Sequence, residues 1–403
     1  LMPSFDPDTI RCDFPILERL IYLDNAATSL SPRQVIEAQV TAEYNYRANV
    51  GRGIHRLSRM ATHQYQEARE TLKKFLGGEH GTLAFTKNTT ESAKIVARGI
   101  HWKKTDRIVT VLQDHHSNLL PWYRLKNDGL IEDIDAVTTV SGILDPAEIE
   151  TCITRNTRLV ALGHASNVFG TIAPVKEIAD ICKDKEVLLH IDGAQTAPHL
   201  PLELEKIGCD YFSFSGHKML GPMGTGGLWI SPDVSGDDVP VPLCAGGGMV
   251  QSVRGTTFTT VDGPGRYEAG TPNVIGAIGL AEAAQYLTRL GMKNVADHSA
   301  ALARRMIEGL AEIPGVRVYT PADAPLIGTV SFTVDGVHPH EVAYLLDEAA
   351  GIMVRSGEHC CQPLMHALCL NGGTVRASAY CYNTEDDVDL LIATTEEIAG
   401  MVK

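Results

Sequence analysis

Tyr211-Phe-Ser-Phe-Ser-Gly-His-Lys218 is a run of aromatic and small residues ending in Gly-His-Lys, and it fixes how the rest of the chain is read. It has the composition of a buried strand, so Lys218 stands just past a strand's carboxyl end. An earlier run, Val187-Leu-Leu-His-Ile-Asp192, has the same character and ends in a carboxylate. Further out, 83–85, 107–112, 159–163 and 227–230 are also short, apolar and rich in β-branched or aromatic residues. Helix-like stretches such as 174–183 separate several of them. This alternation from about Leu83 to Ile230 predicts an α/β domain with a mainly parallel sheet and helices on both faces.

The residues that follow these runs are polar: Thr89 and Thr90, His115 and His116, Asn167, Asp192 and Gln195, then Ser215, His217 and Lys218. Ligands of open parallel sheets bind outside the carboxyl ends of the strands, so a single pocket is expected to collect them. After Gly270-Thr-Pro-Asn273 the pattern changes to a long helix over 274–290, and then to helix, strand, helix, strand. That predicts a smaller α+β domain with strands near 316–319, 328–334, 353–355 and 374–377. The expected division is a large domain over 24–285 and a small domain over 286–403, joined in space by residues 1–23.

With 403 residues, 44% hydrophobic and 21% charged, the composition is that of an ordinary globular protein with room for two cores. Nine cysteines, scattered from Cys12 to Cys381, lack the spacing of a secreted disulfide framework, so a reducing compartment, the cytoplasm, is expected. The first residues show no basic segment followed by an apolar core, and no apolar run approaches bilayer length, so no membrane association is expected. A formal net charge of −14 argues against nucleic-acid phosphates as a partner.

Lys218 and Asp192 together match the needs of pyridoxal phosphate. A lysine amine holds the cofactor's aldehyde, and an acid keeps its pyridine nitrogen protonated so that the ring accepts electrons. The plainer alternative, a solvated lysine and a turn aspartate, fits poorly with Phe212, Phe214, Met219 and Leu220 around the amine, a setting that lowers a lysine pKa. Gly221-Pro-Met-Gly-Thr-Gly-Gly227 does not read as a nucleotide loop, because there the lysine follows the glycines, and here it precedes them. The phosphate is better served by Asn88-Thr-Thr-Glu-Ser92, which offers hydroxyls and backbone N–H groups at a helix start, although the same residues also make an ordinary cap.

Asp114-His-His-Ser-Asn118 places a histidine where it can stack on a flat ring or shuttle a proton; a metal site would need further ligands that are not evident nearby. Arg355-Ser-Gly-Glu-His-Cys-Cys-Gln-Pro363 reads as a loop with a reactive thiol. Its alternatives are two inert buried cysteines or a metal site with His366 and Cys369, at a spacing that matches no common zinc pattern. Arg376, on the next strand-like run, suits a substrate carboxylate held by two parallel hydrogen bonds.

Taken together, Tyr22-Leu-Asp-Asn-Ala-Ala27, Arg52-Gly-Ile-His55, Asn88-Thr-Thr-Glu91, His115-His116, Ser166-Asn167, Asp192-Gly-Ala-Gln195, Ser215-Gly-His-Lys218, Gly246-Gly-Gly-Met249, Glu268-Ala-Gly-Thr-Pro-Asn273 and Arg376-Ala-Ser resemble the cysteine desulfurases of the class V aminotransferase group. The likeness is to the SUF-type, selenocysteine-lyase-like branch and runs over nearly the whole chain. It implies a fold-type I pyridoxal-phosphate-dependent homodimer with the cofactor on Lys218, Asp192 on the pyridine nitrogen, Gln195 on the ring hydroxyl and His115 stacked as an acid/base. Thr89, Thr90, Ser215 and His217 would hold the phosphate, with Thr271 supplied by the partner subunit, while Asn167, Arg376 and His55 would serve the substrate.

The implied reaction removes sulfur from L-cysteine, leaves a persulfide on Cys360, releases L-alanine and passes the sulfur to an acceptor protein for iron–sulfur cluster assembly or another use. Two departures stand out: the branch usually carries a second histidine and an alanine around its cysteine, where this chain has Glu358 and Cys361. Cys361 is expected to be dispensable for the first turnover and to affect the fate of the persulfide. Rival readings are a lyase acting on L-selenocysteine or an amino-acid transaminase on the same fold and, from a different class, a non-catalytic sulfur or metal carrier.

Overall fold

The computed structural model describes residues 5–401. Seven strands form the main sheet: β1 (Thr82–Thr86), β2 (Arg107–Val111), β3 (Asp133–Val137), β4 (Thr157–Gly163), β5 (Leu188–Asp192), β6 (Tyr211–Ser215) and β7 (Gly226–Ile230). Their spatial order is β1-β7-β6-β5-β4-β2-β3. All neighbours are parallel except β7, which runs antiparallel to both β1 and β6.

The reason for β7's direction is local. Only seven residues separate Lys218 from Gly226, too few for a helical crossover, so the chain turns back through the glycine-rich stretch and pairs antiparallel. Leu220 and Gly224 absorb that turn with positive φ. Gly226 is required for a second reason: a Cβ there would sit 2.5 Å from the Phe214 carbonyl oxygen and 2.9 Å from Asn88 Cα, so the strand end and a helix start meet backbone to backbone.

Phe212, Phe214, Trp229 and Tyr211 are fully buried and belong to the cores on the two sides of the sheet. Truncating any of these phenylalanines to alanine costs about 3–5 kcal/mol in a packed core. Edge strand β3, Asp-Ile-Asp-Ala-Val, went unrecognised in the sequence because it has only one fully buried residue and two carboxylates. The exposed hairpin Val250–Arg254 with Thr257–Thr260 escaped recognition as well, since neither arm buries a face.

The second sheet has four antiparallel strands in the order Val316–Val318, Thr329–Val334, Thr374–Ser378, Arg355–Gly357. The single strand read over 353–355 is two: Ile352–Met353 pairs in parallel with Ile21–Tyr22, and Arg355–Gly357 joins the four-stranded sheet. The amino-terminal segment continues to the site. Asp24 bridges to Ser378, Ser29 N–H donates to the His217 carbonyl at 2.8 Å, and Gln195 Nε2 donates to the Ala26 carbonyl at 3.0 Å. Helix Val274–Leu290 packs on Arg33–Tyr46 and Arg56–Phe75. No helix among the described residues is long and apolar enough to cross a membrane.

Candidate active site

The segments that follow β1, β2, β4, β5 and β6 meet at one cavity of about 160 Å³ whose lining includes Thr89, Thr90, His115, Asn167, Asp192, Gln195, Ser215, His217 and Lys218. Lys218 enters from the single turn of 3₁₀ helix, Gly216–Lys218, that follows β6, and Asp192 is the last residue of β5. The next residue must be glycine, because a Cβ on Gly193 would lie 1.8 Å from Phe212 Cζ.

Burial lowers the Lys218 amine to about 8, and Asp192 partly opposes that shift. Burial raises the Asp192 carboxyl, while the Ala194 N–H and Lys218 pull it back. His115 is driven down to about 3, first by burial and then by Lys218, so its ring is neutral at physiological pH. Its Nδ1 accepts the Ser117 N–H at 3.1 Å, which leaves the proton on Nε2.

Opposite the lysine, helix Thr89–Gly99 presents its amino terminus, capped by Asn88. Thr89 Oγ1 lies 2.9 Å from Ser215 Oγ, and Thr90 Oγ1 lies 2.7 Å from Ser117 Oγ. Four hydroxyls and a helix start make a cradle for a phosphate. The donor set as a whole fits pyridoxal phosphate: an amine for the aldehyde, a buried carboxyl for the ring nitrogen and hydroxyls for the phosphate.

Arg376 is buried beside the cavity. Its Nη1 donates to the Asn167 carbonyl at 2.9 Å, its Nη2 donates to Asp24 Oδ1 at 3.2 Å, and its Nε has no partner. The two adjacent cysteines diverge. Cys360 is exposed, whereas Cys361 is buried and its Sγ donates to the Gln113 carbonyl at 2.9 Å. Burial pushes the Cys361 thiol far up, which disfavours its thiolate.

His359 and Cys360 are consecutive non-glycine residues in the left-handed region, with φ of 51° and 55°. Each costs about 1–2 kcal/mol unless its surroundings hold it. Glu358, the other departure, spends its carboxylate on Gln362 Nε2 at 2.6 Å, and its charge bears on His116.

Two of the sequence-read site residues lie elsewhere in the chain. His55 is exposed and caps helix Arg56–Phe75, and Thr271 is exposed beyond the hairpin. The loop of Thr271 is anchored by Glu268, which accepts from both terminal guanidinium nitrogens of Arg69 at 2.6 and 3.0 Å, from the Phe85 N–H at 2.7 Å and from the Tyr65 hydroxyl at 2.9 Å. Glu268→Gln breaks a buried, bidentate ion pair, and the expected loss is about 3–5 kcal/mol of stability by urea denaturation. A change below about 1 kcal/mol, the value of an exposed pair, would contradict this account of the motif.

Sequence reasoning passed over Asp114, Gln113 and Ser117, all of which line the cavity. Asp114 accepts from Asn118 Nδ2 at 2.8 Å and from the Gly163 N–H at 2.9 Å, and burial raises it to about 8. The signal was present, since these residues follow β2 as Thr89 follows β1.

The class-V aminotransferase profile matches residues 21–391. The chain belongs to the class-V aminotransferase family. A probable cysteine desulfurase of Pyrococcus abyssi is 42% identical over 403 residues, covering 98% of each chain. One of Methanothermobacter thermautotrophicus is 41% identical over 398 residues, again with 98% of each covered. Among solved structures, the apo cysteine desulfurase of Thermococcus onnurineus NA1 superposes with a TM-score of 0.95 at 40% identity over the full length of both chains. The cysteine desulfurase CsdA of Escherichia coli, in its S-sulfonic acid form, gives 0.90 at 32% identity, covering 99% of this chain and 100% of that one. The fold of this class-V chain is thus the fold-type I transferase fold, whose members depend on pyridoxal phosphate.

Proposed function

We propose that this chain is a pyridoxal-phosphate-dependent cysteine desulfurase that takes L-cysteine to L-alanine and passes the sulfur through Cys360. The observation that carries the reading is the exposed Cys360 beside the His115–His116 segment: the His116 N–H donates to its carbonyl at 2.8 Å, next to a cavity holding Lys218 and Asp192. A transaminase on the same fold has no use for that thiol.

Bound at Lys218, pyridoxal phosphate supplies the electron sink that makes the Cα proton of an attached amino acid labile. Asp192 would keep the ring nitrogen protonated, His115 would lie against the ring with a proton on Nε2, and Gln195 would serve the ring hydroxyl. Thr89, Thr90, Ser215 and His217 would hold the phosphate. Arg376 and Asn167 would seat the substrate carboxylate, and His55 is also assigned to the substrate. Lys218 Nζ, freed at about pKa 8, takes the Cα proton.

The Cys360 thiolate attacks the substrate sulfur. An S–S bond forms as the C–S bond breaks, the electron pair stays with carbon, and protonation of that carbon completes alanine. The net change is L-cysteine plus a thiol giving L-alanine plus a persulfide. An acceptor protein or thiol then removes the outer sulfur. L-selenocysteine, which differs at one atom, falls within the same reading.

Thr271 does not line the cavity, and we assign it to the site of a second copy. An apolar stripe of Ile36, Val40 and Tyr44, with Ile54, Leu57 and Met60 nearby, is exposed on the helices flanking His55, as a homodimer interface requires. We further place the enzyme in the cytoplasm, since its nine cysteines are all unpaired. The domain boundaries are taken as 24–285 and 286–403, with 1–23 joined to the small domain; of these, residues 1–4 and 402–403 lie outside the described region.

Two measurements test this. Alanine and sulfide should form in equal amounts from L-cysteine with excess reductant, and sulfide should fall to at most one equivalent per site without it; pyruvate or keto-acid formation would favour a lyase or transaminase. Thr271→Ala should weaken cofactor retention about tenfold on dialysis without unfolding the protein, the scale of one charge-assisted phosphate contact. A monomer with full cofactor and full activity would be incompatible with a shared site.

A further inference from the structure

The turn that presents Cys360 does not hold its shape by itself. Consecutive left-handed residues at His359 and Cys360 relax toward ordinary backbone unless neighbours restrain them. Four contacts do so. The His116 N–H donates to the Cys360 carbonyl at 2.8 Å, His359 Nε2 lies 2.9 Å from Thr374 Oγ1, Cys361 Sγ donates to the Gln113 carbonyl at 2.9 Å, and Asn167 Nδ2 donates to the His359 carbonyl at 2.8 Å.

The last contact differs from the others in what lies behind it. The Asn167 backbone carbonyl accepts from Arg376 Nη1 at 2.9 Å, so one residue stands between the guanidinium and the carbonyl just before the nucleophile. Asn167 is only 4% exposed, so neither group has water to fall back on if the pair is broken. The amide nitrogen carries two N–H groups, so one holds the turn while the other stays available to the substrate.

We propose that Asn167 is a positioning residue for Cys360: it clasps the strained 359–360 turn and transmits the seating of a carboxylate at Arg376 to the placement of the thiol. The inference rests on reading Cys360 as the nucleophile and Arg376 as the carboxylate ligand. Without the clasp the His359 carbonyl loses its donor, φ at both residues relaxes, and the thiol leaves the position from which it reaches the substrate sulfur.

The test uses the cofactor-loaded enzyme and the variants Asn167→Ala and Asn167→Asp, the second nearly isosteric but without the amide donor. Alkylation of Cys360 by iodoacetamide, followed by peptide mass spectrometry in the absence of substrate, should accelerate about threefold or more as the turn loosens. At the same time kcat for L-cysteine should fall about tenfold or more, the scale on which a small displacement of a reacting group is felt. A role confined to substrate binding would raise KM and leave both alkylation and kcat at wild-type values, and that result overturns the proposal.

Should the variants fail to load cofactor, the wild type decides. Saturating L-alanine, the product carboxylate, should slow hydrogen exchange of the 358–362 amides, and unchanged exchange would also overturn it. A persulfide mapped away from Cys360 with alkylation still accelerated would refute the nucleophile assignment and leave the clasp standing.

Discussion

Lys218→Ala should give a folded, colourless protein with no measurable conversion of L-cysteine. The amine is the one nucleophile placed both to hold the cofactor aldehyde and to take the Cα proton, and loss of a positioned base alone costs about 10²–10⁴-fold in rate. Fold should survive, because the change removes a desolvated amine rather than a packed hydrocarbon, and Asp192 keeps its Ala194 N–H bond at 2.9 Å. The pH dependence has a definite sign. Burial has lowered the amine to about 8, so the reactive neutral form grows as pH rises through that value. Attachment of pyridoxal phosphate to cofactor-free protein, followed by absorbance, should therefore accelerate with a midpoint near pH 8, well below an ordinary lysine. A midpoint above 10, or borohydride labelling at another lysine, would remove Lys218 from its role.

Cys360→Ser should behave in the opposite way. The yellow cofactor stays, and the spectrum still responds to L-cysteine, because Lys218, Asp192 and the hydroxyl cradle are untouched. Sulfur release should fall by about 100-fold or more, the scale on which removing a nucleophile is felt, since a serine hydroxyl is far too weakly acidic to attack sulfur at neutral pH. Cys361→Ser is the control. Its thiol is buried and donates to the Gln113 carbonyl, a bond a hydroxyl can replace, so turnover should stay within about threefold of wild type. Undiminished desulfuration in Cys360→Ser would leave a general pyridoxal phosphate lyase as the better description.

The fold was legible where burial leaves a strong signature. Tyr211–Ser215 and Leu188–Asp192 are rich in large apolar residues and buried along nearly their whole length because both faces of the sheet are covered, and their polar successors mark the pocket by the geometry of strand ends. β3 and the 250–260 hairpin were silent for the converse reason: a strand that buries little has no pattern to read. Contacts between remote segments were silent too. Nothing near Glu268 in the sequence announces that it anchors Arg69, 199 residues away, or near Cys361 that its thiol donates to the Gln113 carbonyl, 248 residues distant. Asn167 reads in the sequence as a substrate ligand, and its bond to the His359 carbonyl, 192 residues on, becomes visible only in three dimensions.

The proposed route of sulfur from L-cysteine to the Cys360 thiol can be followed by single-turnover mass spectrometry. Enzyme mixed with one equivalent of L-cysteine without reductant, quenched with an alkylating agent and digested, should show one added sulfur on the peptide containing Cys360, with an equal amount of free alanine, in both the wild type and Cys361→Ser. Added sulfur on Cys361 alone, or alanine formed with no persulfide on the protein, would contradict it.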